Sequence, residues 1–260
     1  MTENSRLEIL LRHEQWIVYA GLLAITGLSW TYLLSGAGVS MNAPEMNMLD
    51  HAWSLYQWII IFMMWWIMMI AMMLPGAAPT ILLYARVTRH TQKNIQATHT
   101  TIPVIAFVSG YLFSWLLFSI IATILHWLLS QNNWLSLNMF TINNWLSGGL
   151  LIAAGFYQLT PLKAACLKHC QSPAEFITGH MKGGHLGAFQ MGIEHGFFCV
   201  GCCWSLMLLL FVGGVMNLLW IAILTLFVLS EKILTHGRQL SGFTGYILIF
   251  WGSVIFTTSL

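Results

Sequence analysis

Charged residues are scarce in this sequence of 260 residues: only 7% are Asp, Glu, Lys or Arg, against 58% hydrophobic residues. Soluble domains carry about 25% charged residues, and the mean hydropathy here is +0.74, so a water-soluble globular domain is excluded. A formal net charge of +2 is too small and too segregated to indicate a nucleic-acid partner. Long hydrophilic segments are also missing, which leaves no room for a separate soluble domain.

The apolar residues form runs that can cross a bilayer, which takes roughly 20 residues each. Seven candidates lie at 15–35, 53–74, 102–129, 145–160, 191–212, 215–230 and 243–258. Residues 1–14 are polar and predict a short cytoplasmic segment. The sequence therefore predicts an all-α, polytopic helical membrane protein of about seven transmembrane helices, with a single transmembrane domain over residues 15–260 in the lipid bilayer.

Lysine and arginine are absent from every second loop. Segments 36–52, 130–144 and 213–214 contain none, whereas the N-terminal segment and the loops after the second, fourth and sixth spans hold all ten. Short cytoplasmic loops keep the positive charge, so we expect a cytoplasmic N-terminus. The first span lacks a small-residue cleavage site and predicts a signal anchor instead of a cleaved signal peptide.

Residues 191–207, MGIEHGFFCVGCCWSLM, concentrate metal-ligating side chains on an apolar helix. At 3.6 residues per turn, one stripe of that helix collects an imidazole, three thiols and two thioethers. The stripe consists of Met191, His195, Cys199, Cys202, Cys203 and Met207. These are ligands of a soft ion, Cu(I) first, with Zn(II) a rival for the thiols and the histidine. Glu194 adds a carboxylate, which at membrane depth indicates either a function or a hydrogen bond to a neighbouring helix.

One straight helix cannot surround an ion, so we expect further ligands from elsewhere. Cys166 and Cys170 are four residues apart and share a helical face on the cytoplasmic side, where thiols stay free or bind metal. Met68 and Met72 belong to a methionine row in the second span. These methionines are either ligands or packing side chains, and the sequence Leu74-Pro75-Gly76 predicts that the helix ends or kinks there.

Several other side chains remain open as ligands. Met41, Met46 and Met48 lie in the outer loop, and His180 and His185 in a glycine-rich cytoplasmic loop. His126 is expected at the level of the lipid headgroups instead. The acid and the base of Ser230-Glu231-Lys232 are expected to pair with each other.

Four runs resemble a bacterial family of predicted metal-binding integral membrane proteins, a family of unknown function that includes a copper-chaperone-like protein associated with tyrosinase. The runs are WWIMMIAMMLPGAAPTILLY, GFYQLTPLKAACLKHCQSP, HGFFCVGCCWSLMLLLFVGGVMNLLW and SEK, between Trp58 and Lys232. The resemblance implies copper supply to a cuproenzyme such as a tyrosinase-like oxidase. It also implies that the five cysteines bind metal and that the protein resides in the bacterial inner membrane.

The leading hypothesis is a non-enzymatic membrane protein that binds Cu(I) for uptake or delivery, as a copper chaperone or transporter. The alternative is a membrane thiol-disulfide oxidoreductase that uses Cys199, Cys202 and Cys203, since redox enzymes use the C-x-x-C spacing. The sequence offers no thioredoxin-like βαβ pattern for it. A haem or quinone protein would need paired intramembrane histidines, and a purely structural subunit would need none of its cysteines.

Overall fold

The computed structural model describes residues 3–37, 53–93, 101–135, 141, 143–234 and 236–258. These ranges contain helices and no strand, apart from a single bridge between Leu135 and Thr141. The helices are α1 Glu3–Leu34, α2 Leu55–Lys93, α3 Thr101–Gln131, α4 Asn144–Gln158, α5 Pro161–Gln171, α6 Pro173–His180, α7 Gly184–Leu208, α8 Leu210–Gly213, α9 Leu218–Ile233 and α10 Gly237–Thr258. The predicted all-α polytopic fold is confirmed.

Five helical segments are long and apolar enough to cross a membrane: Trp16–Leu34, Leu55–Arg89, Ile102–Gln131, Gly184–Gly213 and Gly237–Thr258. A sixth crossing results if α4 and α5, bent by 65° at their junction, form one broken span. The predicted fourth and sixth spans correspond to α4 and α9, with 15 and 16 residues, and fall short of the roughly 20 residues that a crossing needs. Length and composition therefore support fewer than the seven predicted spans.

Helix α2 does not end at Leu74, which corrects the expected boundary: it continues through Pro75 and Pro79 to Lys93. A proline removes one backbone donor and leaves the carbonyl four residues earlier without its helical partner. For Pro75 that carbonyl belongs to Ala71, and the indole of Trp30 donates to it at 3.2 Å. A neighbouring helix thus replaces the lost hydrogen bond, which is how apolar helices tolerate proline.

Helices α3 and α7 pack almost backbone to backbone. A Cβ on Gly192 would overlap the carbonyl of Phe107, and a Cβ on Gly110 would overlap the carbonyl of Phe189. Small residues allow such close approach between apolar helices. The close neighbour of α7 at Gly192 is therefore α3.

Helix α10 packs on α4 in the same way, outside this inner pair. Gly148 faces the backbone of Gly252, and Gly155 faces that of Gly245. The glycines of the fourth span therefore do provide the close approach predicted from the sequence. Helices α2, α3, α7 and α9, with α5 at one side, enclose the interior in which the thiols lie.

His126, which was expected at the level of the lipid headgroups, is buried inside the protein. Its side chain is 1% exposed and its Nδ1 accepts a hydrogen bond from the indole of Trp65 at 3.3 Å. The rings of Trp53 and Phe211 pack edge-on against it. Aromatic side chains from three segments cover the imidazole, so its position near the end of an apolar run did not reveal its burial.

The tight α3 and α7 contact predicts the effect of a small substitution. Gly192→Ala places a methyl group against backbone atoms that cannot rotate away, and we expect a loss of about 1–3 kcal/mol in stability. Gly149→Ala is the matched control, because nothing lies within 4 Å of its Cβ position; it should be neutral, or stabilising by up to about 1 kcal/mol. Thermal unfolding of the detergent-purified variants, followed by tryptophan fluorescence, measures both. Equal melting temperatures for the two variants would contradict the packing described.

Candidate metal centre

The inward stripe of α7 is buried along its whole length. His195, Cys199, Cys202 and Cys203 are each at most 2% exposed, and Met191 and Met207 are fully enclosed. Helical periodicity and the glycines that admit α3 explain why this face turns inward. All five cysteines of the chain are free thiols, so each sulfur keeps its capacity to bind a metal.

Cys170 of α5 reaches the thiols of α7. Its Sγ lies 3.9 Å from the Sγ of Cys202, and both side chains are buried. The N-cap of α5 fixes this approach, because the hydroxyl of Thr160 accepts from the backbone of Lys163 directly after the bend. Cys166 is one turn earlier on α5, half-buried, and its Sγ faces Gly201. The structure thus places Cys170 against the cluster and Cys166 at its edge.

A methionine of α2 meets the cluster from the other side. The Sδ of Met73 lies 3.7 Å from the Sγ of Cys203. Met68 and Met72, the methionines expected to take part, are fully buried in the same helix, but among the described residues it is the sulfur of Met73 that contacts a thiol. Met73 lies on the same helix as Met68 and Met72, whose role as ligands stays a prediction.

Two polar side chains that the sequence did not link to the thiols contact Cys199. Lys232 of α9 donates from its Nζ to the Sγ of Cys199 at 2.9 Å, and the hydroxyl of Tyr111 on α3 lies 3.1 Å from the same sulfur. Lys232 is 7% exposed. The sequence signal for the burial of Lys232 was its position before Ile233 and Leu234, inside an apolar run. Tyr111, a tyrosine in a long apolar helix, gave no signal of its contact with Cys199.

Glu231 and Lys232 do not pair with each other, contrary to expectation. The carboxylate of Glu231 accepts from Lys163 at 2.8 Å, and both side chains are buried. Gln158 accepts from Lys163 and from Ser241, which ties the ion pair to α4 and α10. Successive residues of a helix point about 100° apart, so the acid faces α5 while the base faces α7. Lys232 is thereby left to the thiols.

Glu194 and His195 are adjacent on α7 but lie in different environments. Glu194 forms an ion pair with Lys182 and its side chain is 34% exposed, so the structure does not bring this carboxylate to the thiols. His195 is buried against the ring of Tyr111, with centroids 5.8 Å apart, and its Nδ1 has no hydrogen-bond partner among the described residues. A buried nitrogen without a partner is costly, and a bound ion would satisfy it.

His180 and His185, which the sequence left open as ligands, lie outside the cluster. His180 stacks on Phe176, whose ring also contacts His195, with centroids 4.8 and 5.0 Å apart. His185 is exposed at the start of α7. Met41, Met46 and Met48 lie outside the described residues, so their role in metal binding stays a prediction.

The donor set fits a soft ion held by few ligands. Within the described ranges, no three side chains of the types His, Cys, Asp and Glu come together closely enough to hold a metal ion. The donors meet in pairs, Cys170 with Cys202 and Cys203 with Met73. Thiolate and thioether sulfur favour Cu(I), and Cu(I) accepts as few as two ligands.

Comparison with known proteins agrees with this chemistry. No curated protein and no solved structure matches the chain. A family model described as PpoB2, copper chaperone, matches residues 62–255, about three quarters of the sequence. The match includes every cysteine and the helices that carry Met73, Tyr111 and Lys232. It confirms the resemblance seen in the sequence, and the chain belongs to the PpoB2 copper chaperone family.

Proposed function

We propose that this protein binds Cu(I) within the membrane through a buried sulfur cluster and passes it to a cuproenzyme. The observation that carries the proposal is the convergence of Cys170, Cys202, Cys203 and Met73 from three helices, with sulfur pairs 3.9 and 3.7 Å apart. Four sulfur atoms lie in one buried region, and the chain belongs to a copper chaperone family. Both observations favour copper binding over a packing role for these side chains.

The ligands have different softness and different access, which suits a carrier of metal better than a store. Cys170 and Cys202 form the central pair, and Cys203 with Met73 forms the second. Cys166 is half-buried beside them and offers a thiol to an ion on its way in or out. A transported ion must bind well enough to enter and weakly enough to leave, and a thioether next to a thiol provides such a weaker position.

The proposed orientation rests on the charge distribution, and the proposed client rests on the family resemblance. Every lysine and arginine lies in segments that the charge distribution assigns to the cytoplasm, so Cys166 and Cys170 lie at the inner side of a bacterial inner-membrane protein with a cytoplasmic N-terminus. The outer methionines Met41, Met46 and Met48 accept Cu(I) on the opposite side. The client is a cuproenzyme of the tyrosinase type, and the protein itself acts as a carrier and not as a catalyst. Zn(II) is the competing ion.

A membrane thiol-disulfide oxidoreductase is the second candidate, and the 3.9 Å between Cys170 and Cys202 is the observation that favours it. A disulfide has an S–S bond of about 2.05 Å, so the two sulfurs would have to approach each other by about 1.9 Å to form one. Membranes isolated without reductant distinguish the functions. A Cys170–Cys202 disulfide in the resting protein, or a mixed disulfide with another protein, would favour redox chemistry over copper.

Removal of the central thiols tests copper binding directly. Cys202→Ser and Cys170→Ser should each abolish retention of Cu(I) through gel filtration of the purified protein, measured by elemental analysis. The double variant should lose no more than either single variant, because ligands of one ion act as a unit. Cys166→Ser is the control and should retain copper. Unchanged copper in Cys202→Ser would refute the proposed site.

The thioether makes a separate prediction. Met73→Leu keeps the size and apolar character of the side chain but removes the sulfur next to Cys203, so we expect the affinity for Cu(I) to fall at least about tenfold. Met63→Leu is the matched control, because Met63 lies on the same helix and is 37% exposed. Titration against a chromogenic Cu(I) chelator measures both variants. Equal Cu(I) affinities of the two variants would show that Met73 is not a ligand.

A further inference from the structure

His169 in the last turn of α5 and His180 at the end of α6 lie beside each other, outside the sulfur cluster. Their ring centroids are 6.4 Å apart, and both side chains are half-buried. We propose that this histidine pair is a second metal site of the protein, in which two imidazoles bind one Cu(I). Its place on the path of the ion rests on the proposed function.

Both imidazoles present a free ring nitrogen. Nδ1 of His169 contacts the carbonyl oxygen of Ala165 at 2.9 Å, and Nδ1 of His180 contacts that of Phe176 at 3.0 Å. A carbonyl oxygen only accepts, so Nδ1 carries the proton in each ring, and Nε2 keeps the lone pair of the neutral imidazole. Among the described residues, neither Nε2 has a hydrogen-bond partner. Histidines that bind metal almost always donate their other N–H to a group such as a backbone carbonyl.

Two phenylalanines fix the orientation of the histidine rings. His169 stacks on Phe198 of α7, with centroids 4.2 Å apart and 3° between the planes. His180 stacks on Phe176 of α6, with centroids 4.8 Å apart and 18° between the planes. The two phenylalanines in turn contact each other edge-on at 6.2 Å. Stacking covers one face of each imidazole and leaves its edge, with Nε2, for a ligand.

The separation of the two rings matches a shared ion. An imidazole nitrogen lies about 2.0 Å from a bound metal, which puts the ring centroid about 3.2 Å from the ion. Two imidazoles on opposite sides of one ion therefore have centroids about 6.3 Å apart. The rings of His169 and His180 have this spacing, and the angle of 74° between their planes keeps the two rings from stacking on each other.

The number of donors favours Cu(I) as the occupant. Within the described ranges, no third side chain of the types His, Cys, Asp and Glu joins the pair closely enough to hold an ion. Zn(II) sites use three or four protein ligands, whereas Cu(I) accepts two. Imidazole is a harder donor than thiolate, so the histidine pair binds Cu(I) more weakly than the sulfur cluster does.

The position of the pair suits transfer of the ion. His169 directly precedes Cys170 on α5, and a cleft lined by His169, Ser172 and Phe176 opens beside it. An ion on the pair is thus one residue away along the chain from a central thiol and close to the surface. Cu(I) would pass through this weaker position as it reaches or leaves Cys170.

The test counts the Cu(I) ions bound by the full-length protein, purified in detergent without a histidine tag. Cu(I) is titrated anaerobically against a chromogenic chelator, at equilibrium, because a weakly held ion is lost on gel filtration. The natural sequence should bind one ion tightly and a second more weakly. His169→Phe and His180→Phe keep an aromatic ring without nitrogen, and each should lower the affinity for the second ion at least about tenfold while the first stays unchanged. His185→Phe is the matched control and should keep both ions, since His185 is exposed at the start of α7.

Each outcome decides the question. The absence of a second ion in the natural sequence overturns the histidine site, and so does a second ion that survives both substitutions or is lost equally in His185→Phe. Should a phenylalanine variant not elute as a single species, His169→Gln and His180→Gln keep a polar side chain and should show the same fall. The sulfur cluster fails separately: a natural sequence that binds only the histidine-dependent ion refutes the proposed cluster and leaves the histidine site intact.

Discussion

A buried ammonium needs a negative partner, and in this protein that requirement ties α9 to α7. The Nζ of Lys232 bonds to the Cys199 sulfur, and the acid beside it is already bonded to Lys163. Two buried polar contacts from adjacent residues thus hold α9 against both α5 and α7. Because the partner of Lys232 is a thiol of the α7 stripe, the interaction that holds α9 in place also contacts the sulfur cluster.

The glycine contacts provide the precision that this arrangement needs. Gly110 and Gly192 let α3 and α7 approach closely, and the same approach brings the hydroxyl of Tyr111 within 3.1 Å of Cys199. Proline in α2 has a related effect: the helix continues past Pro75 because Trp30 donates to the freed carbonyl of Ala71. Met73 and Gly76 then lie on one uninterrupted helix, one contacting Cys203 and the other making room for Lys232.

Periodicity and composition were sufficient for the all-α class, for five of the seven predicted spans and for the inward face of α7. They could not give the partners of that face, which depend on how separate helices pack. Met73 is one of six methionines in α2, and only packing decides which sulfur meets Cys203. Pairing Glu231 with Lys232 was a natural reading of adjacent opposite charges, but helical geometry points them to different neighbours. His126 was misplaced for the same reason, since its aromatic cover comes from distant segments.

Membership in the PpoB2 copper chaperone family and a buried cluster of cysteine and methionine sulfur support our proposal that sulfur atoms inside the helix bundle bind Cu(I). X-ray absorption at the copper K-edge, on purified protein loaded with Cu(I), measures this most directly. We expect the absorption edge of copper(I) and a first coordination shell of two to three sulfur atoms. A first shell dominated by nitrogen or oxygen would contradict it.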